Sequence, residues 1–217
     1  MARVQSLTDA EHLTKTALYD RWAPGAMKAF GGLQRAAFAP GALDVKTKEL
    51  IAVGCAHVLR CPYCIDHHVR LATKAGAGRE EVAEAVWVAV ALGAGACAAH
   101  AAIAMNVLSG RERAYYEPEN AQALAELGAA YPRAKAAYDA LKEAAFSAGA
   151  LSAKVKELVA VACAHNTRCP YCIKAHAEKA CSMGLSREEI AEAVWVAIEM
   201  GAGACFGHAG LTAALLE

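Results

Sequence analysis

The chain has no surplus of charge: 22 Lys and Arg balance 22 Asp and Glu over 217 residues, and the pI is near 7. A nucleic-acid or anionic-membrane partner favours a basic face, so neither is expected. Charges are spread along the chain, and there is no acidic or basic tail. Met1 to Lys15 lacks the apolar core of a secretory leader, which points to a soluble protein of the cytoplasm. No stretch alternates with period two, so strands are not expected. There is no dinucleotide-binding glycine fingerprint and no strand to carry one. No nicotinamide, flavin or other cofactor is expected.

What the sequence does have is an internal copy of itself. From Lys46 to His100, 34 of 55 positions are identical to Lys154 to His208, without a gap. The match continues weakly upstream, pairing Pro24 with Pro132, Phe30 with Tyr138, Phe38 with Phe146 and Leu43 with Leu151. The unit is far longer than a solenoid repeat, so this is a tandem duplication. Residues 1–112 form the first unit and 113–217 the second, with Tyr115 to Asn120, containing Pro118, as the joint.

Each unit reads as all helix, rich in Ala, Leu, Glu, Lys and Arg. Asp44 and Ser152 are helix caps, the first helix running to about His57. Pro62 and Pro170 suit the first turn of a second helix that stops near Gly76 in the first copy. Ser186-Arg-Glu-Glu opens a third helix, with acidic residues in its first turn. In the first copy Ala85 to Gly110 contains no charged residue and is long enough to span a bilayer. Its Ala and Gly content and His100 favour a helix buried at a repeat or subunit interface instead. Gly93, Gly95, Gly201 and Gly203 would permit close helix approach or a bend.

The nine cysteines fall into two kinds. Cys55, Cys97, Cys163 and Cys205 repeat within Ala/Val/Gly surroundings and are expected to be small buried hydrophobes. Cys181 has no counterpart. The remaining four form Arg60-Cys61-Pro62-Tyr63-Cys64 with His68, and Arg168-Cys169-Pro170-Tyr171-Cys172 with His176, each preceded by a glutamate, Glu49 or Glu157. Two thiols three apart at a helix start can bridge, and the helix N-terminus favours thiolate. A histidine four residues on shares the helix face with the second cysteine and can serve as its general base. The upstream glutamate can orient that histidine. Structural zinc is the alternative, with Cys61, Cys64 and His68 as ligands and Glu49 or His57 as the fourth. No second Cys-x-x-Cys lies within a unit to complete a four-thiolate site, and no metal is expected.

His57, His165, His100 and His208 repeat on apolar helices and read as hydrogen-bonded core or interface residues, with His57 a candidate to assist the site. His67 reads as a surface residue. Trp87 and Trp195, in identical contexts, are expected in the core or in a site wall. Tyr63 and Tyr171 either donate to a substrate oxygen or pack.

The pattern Glu-x11-Cys-x-x-Cys-x3-His in an Ala-rich helical unit resembles the AhpD-like alkylhydroperoxidase group of the carboxymuconolactone decarboxylase superfamily. The resemblance covers both copies, from about Tyr19 onward. It implies an all-α fold of two tandem AhpD-like helical repeats packed as a pseudo-twofold unit. The doubled dithiol points to a thiol-dependent peroxidase or disulfide oxidoreductase, and the resemblance implies reduction of an alkyl hydroperoxide, with a separate dithiol or protein as reductant. By that resemblance Cys64 and Cys172 attack the peroxide, and Cys61 and Cys169 resolve the product to a disulfide. His68 with Glu49, and His176 with Glu157, form the proton relay. The best-known member carries a histidine where Tyr63 and Tyr171 stand here. A lactone decarboxylase, like the superfamily's founding members, which lack the cysteine pair, and a zinc-stabilised interaction module are the alternatives. Single-repeat members assemble as trimers of dimers, so a duplicated chain is expected to form a homotrimer with six dithiols.

Overall fold

The computed structural model describes residues 10–112, 117 and 120–217; most of the joint expected at Tyr115 to Asn120 lies outside them. The first repeat contains α1 (Ala10–Thr14), a 3-10 turn (Lys15–Leu18), α2 (Tyr19–Trp22), α3 (Pro24–Phe38), α4 (Val45–Val58), α5 (Pro62–Lys74) and α6 (Arg79–Leu108). The second contains α7 (Asn120–Ala130), α8 (Pro132–Phe146), α9 (Ala153–Asn166), α10 (Pro170–Ser182) and α11 (Arg187–Leu216). Among the described residues there is no strand, and the protein is all-α, two tandem repeats of helices.

The helix ends follow from local chemistry. The Asp44 carboxylate accepts the Thr47 N–H at 2.7 Å, and the Ser152 hydroxyl accepts that of Val155 at 3.3 Å. Ser186 and Glu189 form a reciprocal capping box at the start of α11. Pro62 and Pro170 open α5 and α10. Gly76 and Gly184 follow the ends of those helices in the left-handed region, at φ 91° and 74°.

Helices α4 and α9 pack on each other at the centre of the molecule. Leu50, Ile51 and Val53 of α4, and Leu158, Val159 and Val161 of α9, are buried. Where the two helices meet, the buried Cys55 and Cys163 thiols neighbour each other. Burial, reinforced by that contact, pushes the Cys55 thiol well above its ordinary range.

The long helices then exchange places. α1 and α3 of the first repeat lie on α11 of the second, while α7 and α8 of the second lie on α6 of the first. Each crossing is pinned by a glutamate. Glu192 of α11 accepts the N–H groups of Ala42 and Leu43, both at 2.9 Å, and pairs with Lys48 at 3.0 Å. Glu84 of α6 does the same for Ala150 and Leu151, at 2.8 and 2.9 Å, and pairs with Lys156 at 2.9 Å. Both lysines are buried and also donate to a loop carbonyl, Ala39 or Ser147, at 2.5 Å. The loops carry Gly41 and Gly149 because a Cβ at either position would overlap the visiting carboxylate.

Two expectations are corrected. Trp87 and Trp195 are each 54% exposed rather than in the core, because their successors Val88 and Val196 are the residues that face α4 and α9. One helical step of about 100° turns the tryptophans outward. Cys97 and Cys205, further along the same helices, are also exposed; only Cys55 and Cys163 of that set are buried. Both α6 and α11 are long and apolar enough to cross a membrane, but they serve here as packing helices. Only 28% and 39% of their most apolar windows is buried within the chain. The buried-helix expectation for Ala85 to Gly110 is met only on the face of α6 that packs against other helices of the chain.

Burial alone would raise the Glu84 and Glu192 carboxyls. The backbone N–H groups of Leu151 and Ala150, or of Leu43 and Ala42, together with Lys156 or Lys48, outweigh it and hold both below the usual range. Stability from a lowered carboxyl is complete above its unfolded pKa of about 4.3 and is lost as pH falls through the folded value. Glu84→Gln/Glu192→Gln is expected to cost about 2 kcal/mol per glutamate at pH 7. The gap from the parent should narrow below pH 4 in denaturant melts, and a gap unchanged from pH 7 to pH 3 would contradict this account.

Candidate functional site

Each dithiol is delivered by the way its preceding helix ends. After α4 the Arg60 N–H donates to His57 O at 3.1 Å and the Cys61 N–H to Ala56 O at 3.2 Å. These bonds define a Schellman turn. Arg60 occupies its left-handed position at φ 55°, and Arg168 does so in the second copy, where the same two bonds recur at 3.0 and 3.3 Å. A non-glycine residue there costs about 1 kcal/mol. The turn reverses the chain so that Cys61 caps α5, its Sγ accepting the Cys64 N–H at 3.2 Å, as Cys169 caps α10.

Cys61 and Cys64 are joined as a disulfide with Cα atoms 5.3 Å apart, and Cys169 and Cys172 likewise. The first cysteine of each pair is fully buried and the second nearly so, at 8% exposure. In the first copy the His68 Nδ1–H donates to Glu49 Oε2 at 2.8 Å, both residues buried between α4 and α5. In the second, His176 donates to Glu157 Oε1 at 2.5 Å, and Lys179 stands 3.4 Å from the other carboxylate oxygen. The structure thus brings Glu49, Cys61, Cys64 and His68 into one cluster and Glu157, Cys169, Cys172 and His176 into another. With Nδ1 held by the glutamate, Nε2 is the nitrogen left to exchange a proton with the cysteine one turn back.

Other side chains complete the sites. Phe38 at the end of α3 stacks on His68 with ring centroids 5.3 Å apart, and Phe146 stacks on His176 at 5.5 Å. Their equivalence across the repeats was visible in the sequence; their contact was not. Tyr63 packs edge-on to His208 at 5.4 Å, and Tyr171 to His100 at 6.2 Å, each pair joining different repeats. Gly207 of α11 faces Cys61 and Tyr63, where a Cβ would sit at ordinary contact distance. His57, His100, His165 and His208 each donate Nδ1–H to the carbonyl four residues back at 2.8 Å. His57 and His165 line two outer clefts, of about 670 and 650 Å3, rather than the dithiol cluster.

A cavity of about 330 Å3 opens beside the first dithiol, lined by Cys64, His68 and His67 and walled by Met27, Phe30 and Phe206. Glu199 of α11 also lines it, and sequence reasoning missed it as a site residue. Its one signal was a lone acid in an apolar helix where the first copy has Ala91. Burial pushes the Glu199 carboxyl up, opposed by His68 and reinforced by Glu49. His67 is exposed at the cavity rim, as expected of a surface residue, and burial of its inner face lowers its pKa. Among the described residues no three His, Cys or carboxylate side chains converge to hold a metal ion.

A duplicated helical unit with a dithiol capping one helix and a Glu–His pair behind it defines the class of protein. The sequence profile of the carboxymuconolactone decarboxylase family matches residues 24–106 and again 132–214, and the chain belongs to that family. Among curated proteins it is similar to "Uncharacterized protein 4 in cox locus" of Paracoccus denitrificans, 52% identical over 80 residues, 37% of this chain and 72% of that protein. It is also similar to an uncharacterized protein of Cupriavidus necator, 42% identical over 77 residues, 36% of this chain and 68% of the relative. An uncharacterized protein of Haemophilus influenzae is 53% identical over 55 residues, 25% of this chain and 49% of its own length.

If His68 and His176 draw the proton from Cys64 and Cys172, His68→Gln/His176→Gln should raise the thiol pKa of the reduced protein. Iodoacetamide alkylation of the dithiols should then slow about tenfold at pH 7 and recover near pH 10, where thiolate forms unaided. Equal rates at both pH values would make the histidines structural.

Proposed function

We propose that the protein is a thiol-dependent oxidoreductase that reduces alkyl hydroperoxides through its two dithiols. The observation that carries this reading is the doubled arrangement of a buried Cys-x-x-Cys at a helix N-terminus backed by a histidine whose Nδ1 is fixed by a buried glutamate. The helix end and the imidazole favour thiolate on Cys64 and Cys172. The thiolate attacks the peroxide and becomes a sulfenic acid, and Cys61 or Cys169 condenses with it to a disulfide, releasing water. A separate dithiol or protein reductant, reacting by thiol–disulfide exchange, restores the pair. Family membership supports a reaction of this kind, since the family includes AhpD-like alkylhydroperoxidases alongside decarboxylases.

Stopped-flow mixing of the reduced protein with an alkyl hydroperoxide tests the reading. The wild type should consume peroxide and lose about four titratable thiols per chain, which a dithiol reductant restores. Cys64→Ser/Cys172→Ser should be inert. Equal rates in both proteins would remove the peroxidase reading and leave a cysteine-independent lactone reaction as the family alternative.

The reading extends to assembly and location. The exposed apolar side chains of α6 and α11, Trp87 and Val90 with Trp195 and Ile198, support burial against further copies of the chain. By the resemblance to single-repeat members that assemble as trimers of dimers, three duplicated chains would reproduce the six-unit ring, a homotrimer. The five free cysteines support residence in a reducing cytoplasm. Light scattering should give a single species near three times 22.6 kDa; a stable monomer at micromolar concentration would overturn the trimer.

A further inference from the structure

The two dithiols are alike in their own residues and unlike in what faces them. The first looks onto Glu199, a carboxyl only 2% exposed whose Oε2 has no hydrogen-bond partner. A buried oxygen left unpartnered costs stability, and the cavity that Glu199 lines with Cys64 and His68 gives it something to serve. The equivalent position on α6 carries Ala91, which has no carboxyl to offer the second dithiol. The surroundings differ as well. Met27 and Phe30 wall the first cavity, whereas the corresponding positions, Lys135 and Tyr138, line a cavity of about 520 Å3 over α6.

We propose that Glu199, supplied by the second repeat, is the proton donor to the leaving group at the first dithiol, which makes that site the one suited to apolar substrates with poor leaving groups. The inference rests on the dithiol reading above. The Cys64 thiolate attacks the terminal oxygen of an alkyl hydroperoxide. The S–O bond forms as the O–O bond breaks, sulfur gives up two electrons, and the departing alkoxide takes the Glu199 proton to leave as an alcohol. The proton that Cys64 earlier gave to His68 returns Glu199 to its acid form across the same cavity. With an aliphatic disulfide the bookkeeping is the same: Cys64 forms the mixed disulfide and the departing thiolate takes the proton. Burial pushes the Glu199 carboxyl up, the direction a donor requires. The second site has no carboxyl at the position equivalent to Glu199, where Ala91 stands.

The test isolates the first site with Cys169→Ser/Cys172→Ser and compares Glu199 with Glu199→Gln in that background. Single-turnover oxidation is followed with three probes. Cumene hydroperoxide and bis(2-hydroxyethyl) disulfide have leaving groups that need a proton, whereas 2,2′-dithiodipyridine does not. Glu199→Gln should slow the first two about a hundredfold and leave the third within about twofold. A merely structural role would move all three together, and either equal slowing or no slowing overturns the assignment. Glu199→Met, of similar size and without a polar group to satisfy, should give the same selective loss if the glutamine variant fails to fold. The two ideas fail separately. If Glu199-containing protein ignores cumene hydroperoxide while Glu199→Gln selectively slows the aliphatic disulfide, the peroxidase reading falls and the proton donor stands. If peroxide is reduced equally well with Glu199→Gln, the donor falls and the peroxidase stands.

Discussion

The structure depends on the exchange of long helices between the repeats, pinned by Glu192 on Lys48 and Glu84 on Lys156. Neither repeat closes its own core. α4 and α9 form the centre, and each is covered by helices from both copies. A buried lysine and a glutamate bridging two backbone N–H groups make a demanding geometry: either partner without the other would leave an uncompensated charge. That demand fixes the crossing, and the reciprocal pair makes it nearly symmetric. Gly41 and Gly149 belong to the same constraint, since the carboxylates occupy the space where their Cβ atoms would be.

The sites inherit this exchange. Within each dithiol the Schellman turn, the helix N-terminus and the Glu–His pair come from one repeat. The roof comes from the other. α11 sets Gly207, His208 and Glu199 against the first dithiol, while α6 places His100 against Tyr171 at the second. A duplicated chain is therefore free to differentiate its sites by changing the roof while the Glu, Cys and His residues of each dithiol cluster stay the same. Glu199 against Ala91 is such a change.

Burial does two different jobs on the cysteines. Cys55 and Cys163, meeting where α4 and α9 cross, are sealed from solvent, and the Cys55 thiol is pushed up, which keeps it inert. The Cys-x-x-Cys pairs are also buried but sit at a helix N-terminus with a histidine and a cavity beside them in the first copy. The two kinds of cysteine differ in those neighbours rather than in exposure.

Much of this was legible in the sequence because it is local or repeated. The caps at Asp44, Ser152 and Ser186, the prolines opening α5 and α10, and the stop at Gly76 act within a few residues of themselves. The pairing of Glu49 with His68 joins consecutive helices, and its recurrence as Glu157 with His176 marked it. What tertiary structure alone decided involves partners far apart in the chain. The outward turn of Trp87 and Trp195 depends on which face of α6 and α11 meets α4 and α9, and an apolar helix with small residues all round does not declare that face. The same ambiguity hid the exposure of Cys97 and Cys205. Phe38 reaches His68 through the packing of α3, and Glu199 reaches the first dithiol because α11 crosses to the other repeat. Sequence periodicity can say that a helix is buried; only the assembled packing says against what.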